Sequence, residues 1–313
     1  MTPLVVVLGP TAAGKTRFAL ELARRVSIEV ISADSRQVYR QMDIGTAKPT
    51  AADQALVRHH LIDIVDPDEP FHLGDYVRRA RQAISDVQAR GAVPLLVGGS
   101  GQYLWSIVEG WQVPAVEPDS ELRFRLTERA QLEGPQALHQ QLRRLDPGAA
   151  SAIHPNNVRR VVRALELVTR TGIPASEQRV RRAPRSDVLL LGLRVERQEI
   201  YRRIDRRVDE MFEAGLIREV ECLLRAGYEP SLPSMSGIGY TQGVQFLSGE
   251  IGLAEAIAGT KTATHRFARQ QGAWFRGDDP RINWVADTDV AEAVRLIQAT
   301  NPLLCSRVIG ATS

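Results

Sequence analysis

The segment Gly9-Pro10-Thr11-Ala12-Ala13-Gly14-Lys15-Thr16 carries the G-x-x-x-x-G-K-[ST] pattern of a P-loop. Small residues at this spacing let backbone N–H groups turn inward onto phosphate oxygens, and a helix beginning here adds partial positive charge. Lys15 supplies a full charge and Thr16 a hydroxyl for Mg²⁺. A carboxylate follows at Asp34, in Asp34-Ser35-Arg36-Gln37-Val38-Tyr39, at the end of a second apolar run. There it can coordinate a metal, take a proton from a nucleophile, or cap the next segment. Gly98-Gly99-Ser100-Gly101-Gln102-Tyr103 ends another apolar run, and its glycines fit either the close approach of a ligand or a simple turn. The chemistry these groups imply is that of an enzyme acting on a phosphorylated small molecule.

Parallel strands must position them. Residues 3–8 read as a buried strand leading into the loop, and residues 17–26 have helical spacing. Residues 29–33, 61–65 and 93–97 read as further buried strands, and 73–90 as a helix stopped by Gly91. Strands alternating with helices predict an α/β fold, a P-loop NTPase-like core whose parallel sheet is covered on both faces. Between about 114 and 184 only helices are readable: Asp119 or Ser120 caps one, Pro135 starts another, and Asn157 caps a third that stops at Gly172. A strand at 188–193, a long helix at 200–225, further helices and a weakly ordered tail beyond about 301 complete the chain. The predicted organisation is a discontinuous core, 1–115 and 186–313, interrupted by a helical insertion at 116–185.

Of the 313 residues, 40 are basic and 37 acidic, too even a balance for a protein that coats nucleic acid by charge alone. Lysine occurs only at Lys15, Lys48 and Lys261, so arginine dominates, with clusters at 159–163, 179–185 and 269–276 that suit bidentate phosphate contacts. Cys222 and Cys305 show neither disulfide nor zinc-ligand spacing. No apolar run is long enough for a signal peptide or a membrane span, so a cytoplasmic protein with no membrane partner, and a monomer, is expected.

Taken in order, the loop, Asp34 to Tyr39, Gly45-Thr46-Ala47-Lys48-Pro49, His59-His60-Leu61-Ile62-Asp63, Gly98 to Tyr103, Arg160 to Glu166 and Ala268 to Arg276 resemble the tRNA dimethylallyltransferase (tRNA isopentenyltransferase) family, to about Asp287. The resemblance implies transfer of a dimethylallyl group from dimethylallyl diphosphate to the exocyclic amine of the adenosine immediately 3′ of the anticodon in tRNA. Such an amine is a poor nucleophile, so a base must take its proton, and Asp34 matches the family's base. By the same resemblance Lys15, the loop residues Gly9 to Thr16 and Arg207 would hold the diphosphate, Thr16 would help hold Mg²⁺, and Ser100 would lie near the amine. Spacing alone makes Arg207 a border arginine of an apolar helix stripe.

The target base must leave the anticodon stack, so some element has to grip the RNA. Arg160 and Arg163, one helical turn apart, with Arg159 beside them, form a basic face on the insertion that is either a phosphate clamp or a solvated surface. The resemblance adds Ser35, Arg36, Gln37, Arg123, Gly239, Tyr240, Arg269, Gln270, Gln271, Trp274 and Arg276, together with Asp34 and Ser100, as tRNA-facing positions. Trp274 and Phe275 suit base stacking or a core equally. Gln270, Ala273, Ser236 and Thr241 depart from the family's usual residues, which weakens the expected RNA contacts. Two alternatives remain at this stage: a small-molecule or nucleoside kinase using the same loop, and a non-catalytic nucleotide-sensing RNA-binding protein.

Overall fold

The computed structural model describes residues 2–112, 116, 118–178 and 187–300. The arginine stretch 179–185, Cys305 and the tail from 301 lie outside the described residues. The first strand, β1 (Leu4–Leu8), is buried throughout and runs through the glycine loop into α1 (Lys15–Ala23). Next come β2 (Ile28–Ser32), α2 (Ala51–Leu56), the two-residue β3 (His59–His60), α3 (Leu73–Ala89), β4 (Val93–Gly98) and α4 (Gly101–Val108). The chain then forms α5 (Ser120–Leu132), α6 (Pro135–Leu145), α7 (Pro147–Ala152) and α8 (Val158–Thr171). It resumes the sheet with β5 (Val188–Arg194), followed by α9 (Arg197–Glu213), α10 (Leu216–Arg225), α11 (Tyr240–Leu247), α12 (Leu253–Gly272), β6 (Ile282–Ala286) and α13 (Val290–Thr300).

Two compact units result, Met1–Val108 with Arg185–Ser313, and Glu109–Pro184. In the first, six parallel strands lie in the order β3-β2-β4-β1-β5-β6. Leu95 is in register with both Val5 and Val30, so Gly9, Asp34 and Gly99 leave the sheet at the same edge. Because β4 lies between β1 and β2, the connections diverge there and open a crevice beyond the strand ends, the place where such sheets bind ligands. Phe18 and Leu22 of α1 and Ala293 and Ile297 of α13 pack on Val5, Val7, Leu95 and Leu191. Each buried aliphatic or aromatic side chain of this kind contributes about 1.5–3 kcal/mol of transfer free energy.

Among the described residues of the second unit the regular elements are α5 to α8, packed around Leu126, Leu138, Leu142, Val161 and Leu165. Its helices begin and end at residues legible in the sequence. Asp119 accepts from Leu122 N, Pro135 opens α6, Asn157 accepts from Arg160 N, and Gly172 closes α8 in the left-handed region.

Three expectations need correction. The strand predicted at 61–65 is instead the short β3, because Leu61 (φ 64°) and Asp63 (φ 55°) turn the backbone out of extended geometry and leave only a bridge between Tyr39 and Val65. The helix predicted over 200–225 is two helices. Gly215, at φ 100°, breaks it, and the change of direction sends Leu216, Val220 and Leu223 into a separate core with Tyr39, Met42 and Tyr240. Finally, β6 was not anticipated: as an edge strand it buries only Ile282 and Val285, too sparse a pattern to read.

Candidate active site

At the start of α1, Gly14 takes φ 84°, and the Lys15 ammonium turns back to donate to Gly9 O (3.0 Å) and Pro10 O (2.7 Å). Gln271 of α12 braces the loop: its Oε1 accepts from Thr11 N at 2.7 Å and its Nε2 donates to Gly99 O at 2.9 Å. One cavity of about 480 Å³ is lined by Thr11, Lys15, Thr16, Asp34, Gly99 and Arg207, among others. Burial lowers the Lys15 ammonium to about 7, with the Arg207 guanidinium pushing the same way and the Asp34 carboxylate opposing. Arg207 is likewise lowered, first by burial. Among the described residues no carboxylate is ion-paired with Arg207. Two cations crowded without direct neutralisation form a site that favours an anion.

Asp34 shapes a turn and also lines the cavity: its Oδ1 accepts from Arg36 N at 2.8 Å just after β2. Next to Asp34, Ser35 N donates to Ser100 Oγ at 3.3 Å. The glycines around Ser100 are also crowded by the chain itself. A Cβ at Gly98 would lie 2.1 Å from Ala33 O, at Gly99 2.4 Å from Gln271 Nε2, and at Gly101 2.3 Å from the Trp274 ring. Ala33, just after β2, and Trp274, just after α12, leave no room at Gly98 and Gly101, whereas Gly99 meets the end of the Gln271 side chain and lines the cavity.

Several residues expected to face RNA are otherwise engaged. Tyr240 is 1% exposed, and its hydroxyl donates to Glu219 at 2.6 Å; Glu219 also accepts from the amides of Asp43, Ile44 and Gly45. Tyr240 thus supports the 43–45 turn, and buried Gly239 packs on Leu216 and Thr260. Gln271 is buried and belongs to the loop brace. Arg36 donates to Pro233 O, Ser234 O and Ser236 Oγ, and Gln37 joins Ser32 to the Thr46 and Ala47 carbonyls. In the helical unit, Arg123 forks onto fully buried Glu166 with two 2.8 Å bonds, and Arg163 pairs with the same carboxylate. Arg123 thereby joins α5 to α8, while Arg163 makes an i,i+3 pair within α8. Arg159 and Arg160 are exposed and carry no ion pair among the described residues. Arg269, Gln270 and Arg276 are exposed, Trp274 is partly so, and Phe275 is core.

One network was missed. Asp287, just past β6, binds Arg203 of α9 at 2.6 Å and Arg17 of α1 at 3.2 Å, and lies against Gly14. No local motif announces it, since the partners come from three distant stretches of chain.

The IPP transferase family model matches residues 37–278. The chain belongs to the IPP transferase family. It is similar to the tRNA dimethylallyltransferase of Herpetosiphon aurantiacus, 50% identical over 95% of each chain. Among solved structures, the full-length tRNA isopentenylpyrophosphate transferase of Bacillus halodurans is 40% identical, covering 97% of this chain and 96% of its own, with a TM-score of 0.69. A eukaryotic dimethylallyltransferase acting on tRNA is 26% identical, with a TM-score of 0.81 over 98% of this chain and 80% of its own. In this IPP transferase, then, the parallel P-loop core and the cavity at its switch point belong to a fold shared with those relatives. No helix among the described residues is long and apolar enough to cross a membrane.

Proposed function

We propose that the protein transfers the dimethylallyl group of dimethylallyl diphosphate to the exocyclic amine of the adenosine next to the anticodon in tRNA, releasing diphosphate. The observation that carries this reading is a single cavity in which Lys15, Thr16, Asp34 and Arg207 meet in a chain of this family. Lys15, the loop amides and Arg207 hold the diphosphate and balance its growing charge as the allylic C–O bond breaks. Asp34 takes the amine proton as nitrogen attacks, and the Ser100 hydroxyl orients that amine. No cluster of three metal-binding side chains occurs among the described residues, but Mg²⁺ needs only one or two protein oxygens besides phosphates and water. Thr16, with Asp34 in the same cavity, fits that demand. The ion would supply charge neutralisation at the leaving diphosphate. A kinase shares the loop but leaves the family match unexplained. Nucleoside mass spectrometry of tRNA incubated with the protein, Mg²⁺ and dimethylallyl diphosphate tests the reading; unmodified adenosine next to the anticodon would sink it.

Two further results are expected. Because Lys15 is held at about 7 in the free protein, a bound diphosphate returns its proton. At pH 8, binding should take up close to one proton, about 0.9 if the bound ammonium is fully charged. Calorimetry in buffers of different ionisation enthalpy measures it, and equal uptake by Lys15→Ala would contradict the assignment. For RNA, Arg160→Ala is the clean probe of the helical unit, since Arg163→Ala would also disturb Glu166. Loss of one phosphate contact should flatten the log-affinity versus log-salt slope by about 0.7–0.9. A parental slope and affinity would make that face a solvated surface.

A further inference from the structure

Helices α9 and α12 pack together, and besides the cavity residues Arg207, Phe267 and Gln271 each presents two positions one turn apart that do not line it: Arg197 and Tyr201 on α9, His265 and Arg269 on α12. The Tyr201 and His265 rings stack, with centroids 4.4 Å apart and planes 18° from parallel. Onto the Tyr201 phenol oxygen, Arg197 Nε donates at 2.9 Å and Arg269 Nη1 at 3.3 Å, and the Arg197 guanidinium also lies 5.3 Å from the ring centroid. A phenol oxygen that accepts two hydrogen bonds has both lone pairs engaged. Its own proton can then be given only to an acceptor from outside. Each guanidinium uses one of its five donors on the phenol and keeps the rest.

Nearby carboxylates on the two helices face other groups. Glu199 holds Arg202 and Arg203, Asp209 holds Lys261, and Asp205 Oδ1 lies 2.9 Å from His265 Nε2 without hydrogen-bond geometry, turned to that ring rather than to either arginine. Among the described residues neither Arg197 nor Arg269 has an ion pair, and both are exposed. The result is three convergent donors, two of them charged, held in place by a stacked ring and lacking an anion. We propose that Arg197, Tyr201 and Arg269 form a fork for a backbone phosphate of the RNA substrate. The inference rests on the RNA-modifying function above. The donor's diphosphate offers the same oxygens, but none of the three residues lines the cavity of Lys15 and Arg207, whereas exposed arginines beside an aromatic suit a phosphodiester. The two guanidiniums also hold the Tyr201 hydroxyl below the usual phenol range, which strengthens it as a donor.

The test compares Arg197→Gln, Arg269→Gln and Tyr201→Phe with the parent in binding an anticodon stem-loop RNA across a KCl series, alongside the KM for dimethylallyl diphosphate. Each arginine variant should bind the RNA about 5- to 20-fold more weakly and flatten the salt slope by about 0.7–0.9. Tyr201→Phe removes a donor but no charge, so it should weaken binding about 3- to 10-fold at an unchanged slope. That pairing of effects is not expected of a merely structural cluster. Parental affinity and slope in both arginine variants would overturn the proposal, as would a raised KM for the diphosphate with RNA binding intact. If the parent binds the RNA yet modifies nothing, the proposed transferase activity fails, while the binding series still decides the fork.

Discussion

Asp34→Asn should lower the single-turnover transfer rate by about 10²–10⁴, the contribution of a positioned base, while tRNA affinity changes far less. Asparagine is the informative substitution because Asp34 Oδ1 accepts from Arg36 N at 2.8 Å. An asparagine oxygen can accept that same bond, so the turn after β2 and the placement of Ser35 against Ser100 survive. What disappears is the capacity to take the amine proton. Asp34→Ala loses the turn as well and should be at least as impaired, with some loss of tRNA affinity. Single-turnover rates at saturating substrates, measured beside RNA binding, separate the two roles. A near-parental rate for the asparagine variant would reduce Asp34 to a turn-former and leave the reaction without its base.

Lys15→Ala should lower kcat/KM for dimethylallyl diphosphate by about 10²–10³, comparable to removing one charge-stabilising donor from a preorganised site. In the free protein this ammonium is held at about 7 rather than 10.5. Between those two pH values the folded state binds fewer protons than the unfolded one, so the free protein gains stability as pH rises through that window; below about 7 the penalty of the crowded cation is fully present. Removing Lys15 therefore removes a destabilising charge, and at pH 7 the variant should melt no lower than the parent. Loss of activity with intact stability and an unchanged salt slope for tRNA binding would place the lysine on the diphosphate alone. Parent-like turnover would mean that backbone amides and Arg207 suffice.

The local chemistry of this protein is written in short stretches of sequence. The P-loop is contiguous, so residues 9–16 announce an anion site before any fold is known, and the apolar runs around it require a sheet buried on both faces. Helix limits at Asp119, Pro135, Asn157 and Gly172 were legible for the same reason: caps act within one turn of the chain. Arg207 was named through family resemblance, and only the fold brings it beside Lys15 and Asp34.

What tertiary structure decided is which polar groups remain for substrates once the chain has satisfied its own. Glu166 claims Arg163 from its own helix and Arg123 from 43 residues away, Glu219 claims Tyr240 from 21, and the loop claims Gln271 from 260. A buried carboxylate or carboxamide without partners is costly, so such groups draw in arginines, hydroxyls and amides that a linear reading assigns to RNA. The crowding at glycines 98, 99 and 101 is hidden for a related reason, since the atoms a side chain would meet there belong to Ala33, Gln271 and Trp274. Conversely, the Arg197–Tyr201–Arg269 fork has no sequence signature, because two helices separated by some forty residues of intervening chain must pack before its donors converge. Sequence determined the types of group available and the local frame that carries them; long-range packing decided their partners, and therefore which of them are left to act.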